Sequence, residues 1–464
     1  MVFSSLTFLA LFLPLFLLAY NLIATRSVKL KNLTLLVFSL FFYAVGEPVW
    51  VMILVFSGLL DYSIGLFFPR CTQKWHEKLL LALSLCGNLG LLFIFKYGSF
   101  FLGFFGIHVT FASSLPIGIS FYTFQTMSYT IDLYRGKLKP QKDPVAFLAY
   151  VSMFPQLVAG PIIRYSDMEE RLLKRTVTLE GFGGGVTRFA AGLGKKIILA
   201  NHAGKVAAEL LDVAPDSMTT AGIWLGIVMF AFQIYFDFSG YSDMAIGLGK
   251  MIGFDFKENF EHPYIAKSVT DFWRRWHISL SSFFRDYIYI PLGGNRRHTV
   301  RNLLVVWFIT GLWHGASVNF VLWGLYYCAA LILEKYVLKD VLQKVPAIVA
   351  RLYSMLIVLF GWLIFYYTDL PTLASAMAGF FGFAGARHAE AQALAGHRVT
   401  VLLYANLWIL PVLTLFSTDI PARFFSWLKS RVPAVEPVYN AALLCVSFAL
   451  LVGQSFNPFL YFRF

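Results

Sequence analysis

Apolar runs long enough to cross a bilayer recur along the whole chain, and they decide most of what it can become. They fall near residues 3–24, 32–46 with 49–68, 79–105, 115–133, 185–212, 219–238, 302–333, 350–367, 400–417 and 437–456. A spanning helix needs about 20 apolar residues, because inside a bilayer the backbone must satisfy its own hydrogen bonds. Several runs are long enough for two helices or one tilted helix, so roughly ten to twelve spans are expected. The runs are continuous, unlike the alternating segments of a membrane β-barrel. With 58% hydrophobic and 14% charged residues, the chain has too little polar surface to cover a soluble core of this size. The expected fold is an all-α polytopic integral membrane protein.

A net charge of +13 would point to nucleic acid in a soluble domain. Here the basic residues gather in short loops, where they hold membrane topology, and no nucleic-acid partner is expected; membrane lipids are the surroundings the composition implies. The clusters are Arg26/Lys29/Lys31, Arg70/Lys74/Lys78, Arg135/Lys137/Lys139/Lys142, Arg164/Arg171/Lys174/Arg175 and Arg296/Arg297/Arg301. The first of them, directly after the first apolar run, places the N-terminus outside. MVFSSLTFLALFLPLFLLAY lacks a basic start and a small-residue cleavage site, so it reads as a first membrane helix and not as a signal peptide. Cys71, Cys86, Cys328 and Cys445 are scattered without metal-ligand spacing, and neither a metal site nor a disulfide framework is expected. Residues 1–464 read as one membrane-embedded domain, with residues 384–398 as its one long polar loop after position 340. GFGGG at 181–185 follows no strand and is expected to serve close helix packing.

Ionisable residues inside membrane segments are costly and mark candidate sites. In AFQIYFDFSGYSDMAIGLGK (231–250), Asp237 and Asp243 interrupt an apolar run, as a proton or ion path or as partners of basic residues. SVTDFWRRWHISLSSFFRDYIYIPLGGNRR (268–297) is too charged to span. Wound as one helix it sets Asp271, Arg274, Arg275, Ser282 and Arg285 on one face and Phe272, Trp273, Trp276 and Leu280 on the other, with His277 at the boundary. That pattern suits an interfacial anchor, or the wall of a site whose arginines meet phosphate. In WFITGLWHGASVNFVLWGLYY (307–327), His314 lies at membrane depth between Gly311 and Gly315, with Asn319 following. A neutral imidazole there is either a satisfied structural group or a general base.

Two classes fit these residues: an intramembrane transferase with a histidine base, and a transporter with a histidine–aspartate proton relay. Transporters of this size usually carry internal repeats with matching broken helices. The polar elements at 268–297 and 307–319 have no counterpart in the first half, which favours the enzyme.

Those two stretches carry a resemblance. FWRRWHISLSSFFRDYIYIPLGG, followed by GLWHG with His314 37 residues after His277, resembles the membrane-bound O-acyltransferase family. FQTMSYTIDLYRG (124–136), FPQLVAGPIIRY (154–165) and YFDFSGYSDMAIGLG (235–249) resemble its bacterial branch, which O-acetylates alginate, other exopolysaccharides or peptidoglycan. A more distant likeness is to the D-alanyl transfer proteins of teichoic acid systems. The resemblance implies a ring of membrane helices around a thin partition pierced by a tunnel, in the bacterial cytoplasmic (inner) membrane. It implies acetyl transfer from a cytoplasmic thioester, acetyl-CoA, with no bound cofactor, to an acceptor outside. It assigns His314 as the principal catalytic histidine and His277 as the second, within a catalytic segment 268–319. Trp313, Asn319 and backbone N–H groups near Gly315 are candidate donors to the developing oxyanion, and Arg274 and Arg275 candidate contacts for donor phosphates.

In the resembling systems an extracytoplasmic partner, a periplasmic hydrolase-like (SGNH-type) acetyltransferase, completes transfer alongside the polysaccharide synthesis machinery. In the D-alanyl systems a small companion protein ends in F-x-Y-F-x-F. Here that pattern closes the chain itself, in NPFLYFRF (457–464), as Phe459, Tyr461, Phe462 and Phe464. The Tyr461 hydroxyl is therefore a candidate acyl carrier. The other reading of this motif is an aromatic anchor at the interface.

Overall fold

A computed structural model describes residues 2–23, 27–103, 105–107, 115–157, 160–383, 389–453 and 460, with the side chains of 23 and 389–393 left aside. Tyr461, Phe459, Phe462 and Phe464 lie outside these residues. Among the described residues the structure is helical, with no strand. Seven helices are long and apolar enough to cross a membrane: Val28–Gly46, Val51–Arg70, Lys74–Gly103, Thr220–Met251, Val318–Lys344, Ala347–Tyr366 and Val435–Gly453. An eighth span forms if Leu394–Asn406 and Ile409–Phe416, bent by 63°, count as one, and Phe8–Leu22, Pro144–Leu157 and Leu370–Phe380 are shorter apolar helices. Run length overstates the number of full spans, because several runs break into pieces. The run at 302–333 splits between Thr299–His314 and Val318–Leu333. The polar stretch expected as a loop over 384–398 is helical from Ala389 onward; its alanine-rich AEAQALAG favours helix whatever its polarity.

The chain forms two compact units, Met1–Gly192 with Tyr241–Glu258, and Leu193–Gly240 with Asn259–Phe464. In the first, the phenylalanines of the N-terminal helix repeat every four residues and so share one face. Phe8, Phe12 and Phe16 all pack on Phe154, with ring centroids 6.2, 5.3 and 4.9 Å away. Leu11, Leu15 and Leu18 on the opposite face are exposed, as suits lipid contact. Arg175 is not an edge charge: it is buried, its guanidinium donating to the Tyr20 hydroxyl and to Asn32 Oδ1, both at 2.6 Å. Asp243 accepts from Arg188 Nε at 2.9 Å, which places it among the ion pairs. Gly185 bears out the packing role expected of GFGGG, since a Cβ there would lie 2.7 Å from the Gly247 carbonyl.

In the second unit the helices Thr299–His314 and Val318–Leu333 cross at bare backbone. A Cβ on Gly311 would run into the Phe320 carbonyl, and one on Gly324 into the Trp307 carbonyl. This close crossing holds the helix that ends on His314. Gly324→Ala is therefore expected to cost about 1–3 kcal/mol by overpacking, since a carbonyl in a helix cannot swing aside. Thermal unfolding in detergent should show a clear fall in Tm, whereas Gly183→Ala, with open space around it, should be neutral. Equal melting of the two variants would contradict the close crossing.

Candidate active site

The expected single amphipathic helix over 268–297 is broken at His277. Val269–Arg275 ends, and Ile278–Phe284 begins after His277, whose φ of 46° is left-handed. That conformation costs a side-chain-bearing residue roughly 1–2 kcal/mol, and a strained residue persists only when its surroundings over-determine it. They do so here. The Ile278 N–H donates to the Asn259 carbonyl at 3.0 Å, and Ser279 donates through N–H and O–H to Asn259 Oδ1 at 3.1 and 2.8 Å. At the other end, Glu334, buried in the Val318–Lys344 span, caps the first helix by accepting from the Val269 and Thr270 N–H groups at 2.5 and 2.8 Å. A carboxylate at a helix N-terminus satisfies otherwise orphaned donors and meets the positive end of the dipole.

Asn259 also sets the state of His277. Its Oδ1 already accepts from Ser279, so its 3.2 Å contact with His277 Nδ1 takes an N–H from the ring. The lone pair is then on Nε2, which is buried and has no hydrogen-bond partner among the described residues. Burial pushes the His277 pKa down to about 3, because a low-dielectric site penalises the cation. The ring is a neutral base, walled by Phe238 at 4.7 Å and Trp313 at 6.0 Å between centroids.

Trp313 joins the two histidines. Its ring lies 4.9 Å from His314 and 6.0 Å from His277. His314 is the last residue of a 16-residue helix, about 24 Å long and so shorter than the roughly 30 Å hydrocarbon core. A helix starting at the basic edge of Arg296, Arg297 and Arg301 therefore ends at depth. Gly315 is extended and lies under the Phe320 ring, where a Cβ has no room. Trp323 and Phe365 complete the surround of His314, edge-on at 4.9 and 5.2 Å.

The other expected site residues divide. Asn319 is buried, but its amide donates to the Ile364 and Phe365 carbonyls at 3.2 and 3.4 Å, so its donors serve the end of the Ala347–Tyr366 helix. Arg275 pairs with Asp271 at 2.9 Å and reaches the Glu261 carbonyl, while Arg274 is exposed. Trp313 stays beside His314, and a second buried indole donor, Trp323 Nε1, joins it at the same ring separation and has no hydrogen-bond partner among the described residues. Asn259 and Glu334 have no signal in local spacing, since each arrives from a distant turn or helix; Trp323 follows His314 by nine residues, and only the reversal between their helices brings it back beside the ring. Among the described residues no group of acidic, histidine or cysteine side chains is placed to hold a metal ion. The arrangement gathers two imidazoles and indole donors among aromatic rings, residue types suited to removing a proton from a hydroxyl and stabilising an oxyanion.

Comparison with known proteins is consistent with that chemistry. The model of the membrane-bound O-acyltransferase family matches residues 137–377, a range that contains both histidines. A probable alginate O-acetylase of Pseudomonas putida is 38% identical over the full length of both chains. A peptidoglycan O-acetyltransferase of Helicobacter pylori is 30% identical over 100% of this chain and 98% of its own. A teichoic acid D-alanyltransferase of Bacillus subtilis is 26% identical over 46% of this chain and 58% of its own.

Proposed function

The chain belongs to the membrane-bound O-acyltransferase family and is a multi-pass membrane enzyme, and from that premise we propose that it carries acetyl groups from cytoplasmic acetyl-CoA to an extracytoplasmic polysaccharide such as alginate. Full-length likeness to proteins named as O-acetylases, against a partial likeness to D-alanyltransferases, supports acetyl as the group moved. The observation that carries the reading is the meeting of His277 and His314 at the Trp313 ring, 6.0 and 4.9 Å between centroids.

A thioester is already activated, so the enzyme needs mainly to position a hydroxyl and take its proton. His314 is the general base. The hydroxyl oxygen bonds to the acetyl carbon, the C–S bond breaks, and the proton leaves with the coenzyme A thiol. The Trp323 indole, in place of the Asn319 amide, is the side-chain donor for the developing oxyanion, and exposed Arg274 is available to donor phosphates. His277, locked by Asn259, orients the acceptor. The acceptor is the Tyr461 hydroxyl, so that the glycan need not enter the membrane; a periplasmic acetyltransferase then passes the group to the polymer. The setting is the bacterial inner membrane.

Purified protein given acetyl-CoA labelled in the acetyl group tests this. Coenzyme A release with label retained on the protein is the expected result. Label entering proteoliposomes without coenzyme A release would instead mean transport, and reaction with a D-alanyl thioester alone would move the activity to teichoic acid chemistry.

A further inference from the structure

Asp237 interrupts the apolar helix Thr220–Met251, and its environment gives it a task that acyl transfer alone does not explain. Its carboxylate is buried, with one oxygen 2.6 Å from Lys196 Nζ, itself buried. The other oxygen accepts the backbone N–H of Leu460 at 2.9 Å, 223 residues away in sequence. Leu460 is itself buried, 5% exposed. Leu460 is thus tied into the interior of the second unit through a charged group.

We propose that the Lys196–Asp237 pair is the docking site for the C-terminal segment and the fixed point about which the residues after Leu460 act. A buried ion pair is weak support for stability, since apolar residues of similar volume often serve as well. What an apolar pair cannot do is accept a backbone N–H. The bond to Leu460 uses the main chain, so it fixes the path of the segment whatever the side chain at 460. If the segment leaves, Asp237 loses a hydrogen bond in a medium where water does not replace it, so the docked segment is resident and not a passing visitor.

Position also matters. Phe238, the next residue on the same helix, is the edge-on wall of His277. Asp237 therefore ties the chain end to the helix that shapes the histidine chamber. Chain connectivity puts position 461 one residue, about 3.8 Å between Cα atoms, beyond the pinned point. This role of Asp237 as a positioning residue rests on the carrier reading for its purpose, but the docking itself does not.

The experiment is digestion of the full-length protein in detergent by a broad-specificity carboxypeptidase, with intact mass reporting loss of residues 462–464. The wild type should be trimmed slowly. D237L/K196M, a neutral apolar pair without an acceptor, should be trimmed at least tenfold faster, and D237N/K196M, which keeps an acceptor oxygen without charge, within about twofold of wild type. Leu460→Pro removes the donated N–H together with a buried side chain and fixes φ, and should also be trimmed fast; Leu460→Ala, which keeps the N–H, should be trimmed within about twofold of wild type, and this pair decides the matter if the apolar pair does not fold. Equal trimming of all forms would overturn the docking site, even if Tyr461→Phe abolished acetylation. Full acetylation by Tyr461→Phe with the trimming pattern intact would overturn the carrier and leave the docking site standing.

Discussion

His314→Ala should abolish acetyl transfer while leaving the protein inserted and folded. The imidazole is at the end of its helix and half-buried, and the Gly311–Gly324 crossing is made by backbone that its truncation leaves in place. A general base supplies about 10²–10⁴-fold of rate, and a sugar or phenol hydroxyl attacks a thioester poorly without one. Coenzyme A release from labelled acetyl-CoA should therefore fall by at least about 10²-fold, with unchanged membrane yield and elution in detergent. Activity within tenfold of wild type would remove His314 from the base role and turn attention to His277, whose buried Nε2 has no hydrogen-bond partner among the described residues.

Tyr461→Phe should stop acetylation of the external polymer as completely, for a different reason. It deletes a single oxygen and keeps the ring, so anchoring by aromatic residues survives. The chemistry of leaving groups supports a phenol as the intermediate. A thiol has a pKa near 8.5 and a phenol near 10, and a sugar hydroxyl is a far weaker acid than either. An acetyl group on a phenol keeps a good leaving group, so its onward passage to a sugar hydroxyl, a far poorer one, runs downhill. The variant should also lose the label that wild-type protein retains. Full polymer acetylation by Tyr461→Phe would leave the C-terminal aromatics as an anchor and nothing more.

Much of the molecule is legible in its residues, and the unreadable part has a physical boundary. The helical membrane class follows from apolar runs that no soluble surface could balance. The two histidine motifs were visible because an ionisable group amid apolar residues is costly enough to stand out. The helical wheel over 268–297 failed, however, because periodicity assumes an unbroken helix, and the left-handed turn at His277 is held by Asn259, which no local pattern links to it. Asn319 stood beside Trp313 and the backbone near Gly315 as a candidate oxyanion donor; the reversal at Gly315–Ser317 sends its amide to the end of another helix and brings Trp323 beside the histidine. Asp237 and Asp243 were open between a proton path and ion pairing, since spacing does not say which cation is opposite. Lys196 and Arg188 are.

By itself, then, the sequence determined the solvent in which this chain folds and the residue types able to do acyl chemistry there. Both follow from transfer free energies and side-chain chemistry, which are properties of each residue alone. Only the tertiary structure decided which of those residues meet: the two histidines on Trp313, the lone pair on His277 Nε2, the indole of Trp323 in place of the Asn319 amide, and the end of the chain on Asp237. Apart from Trp313 and Trp323, which lie near His314 in the chain, those are pairings across about twenty to more than two hundred residues, set by where helices break and cross.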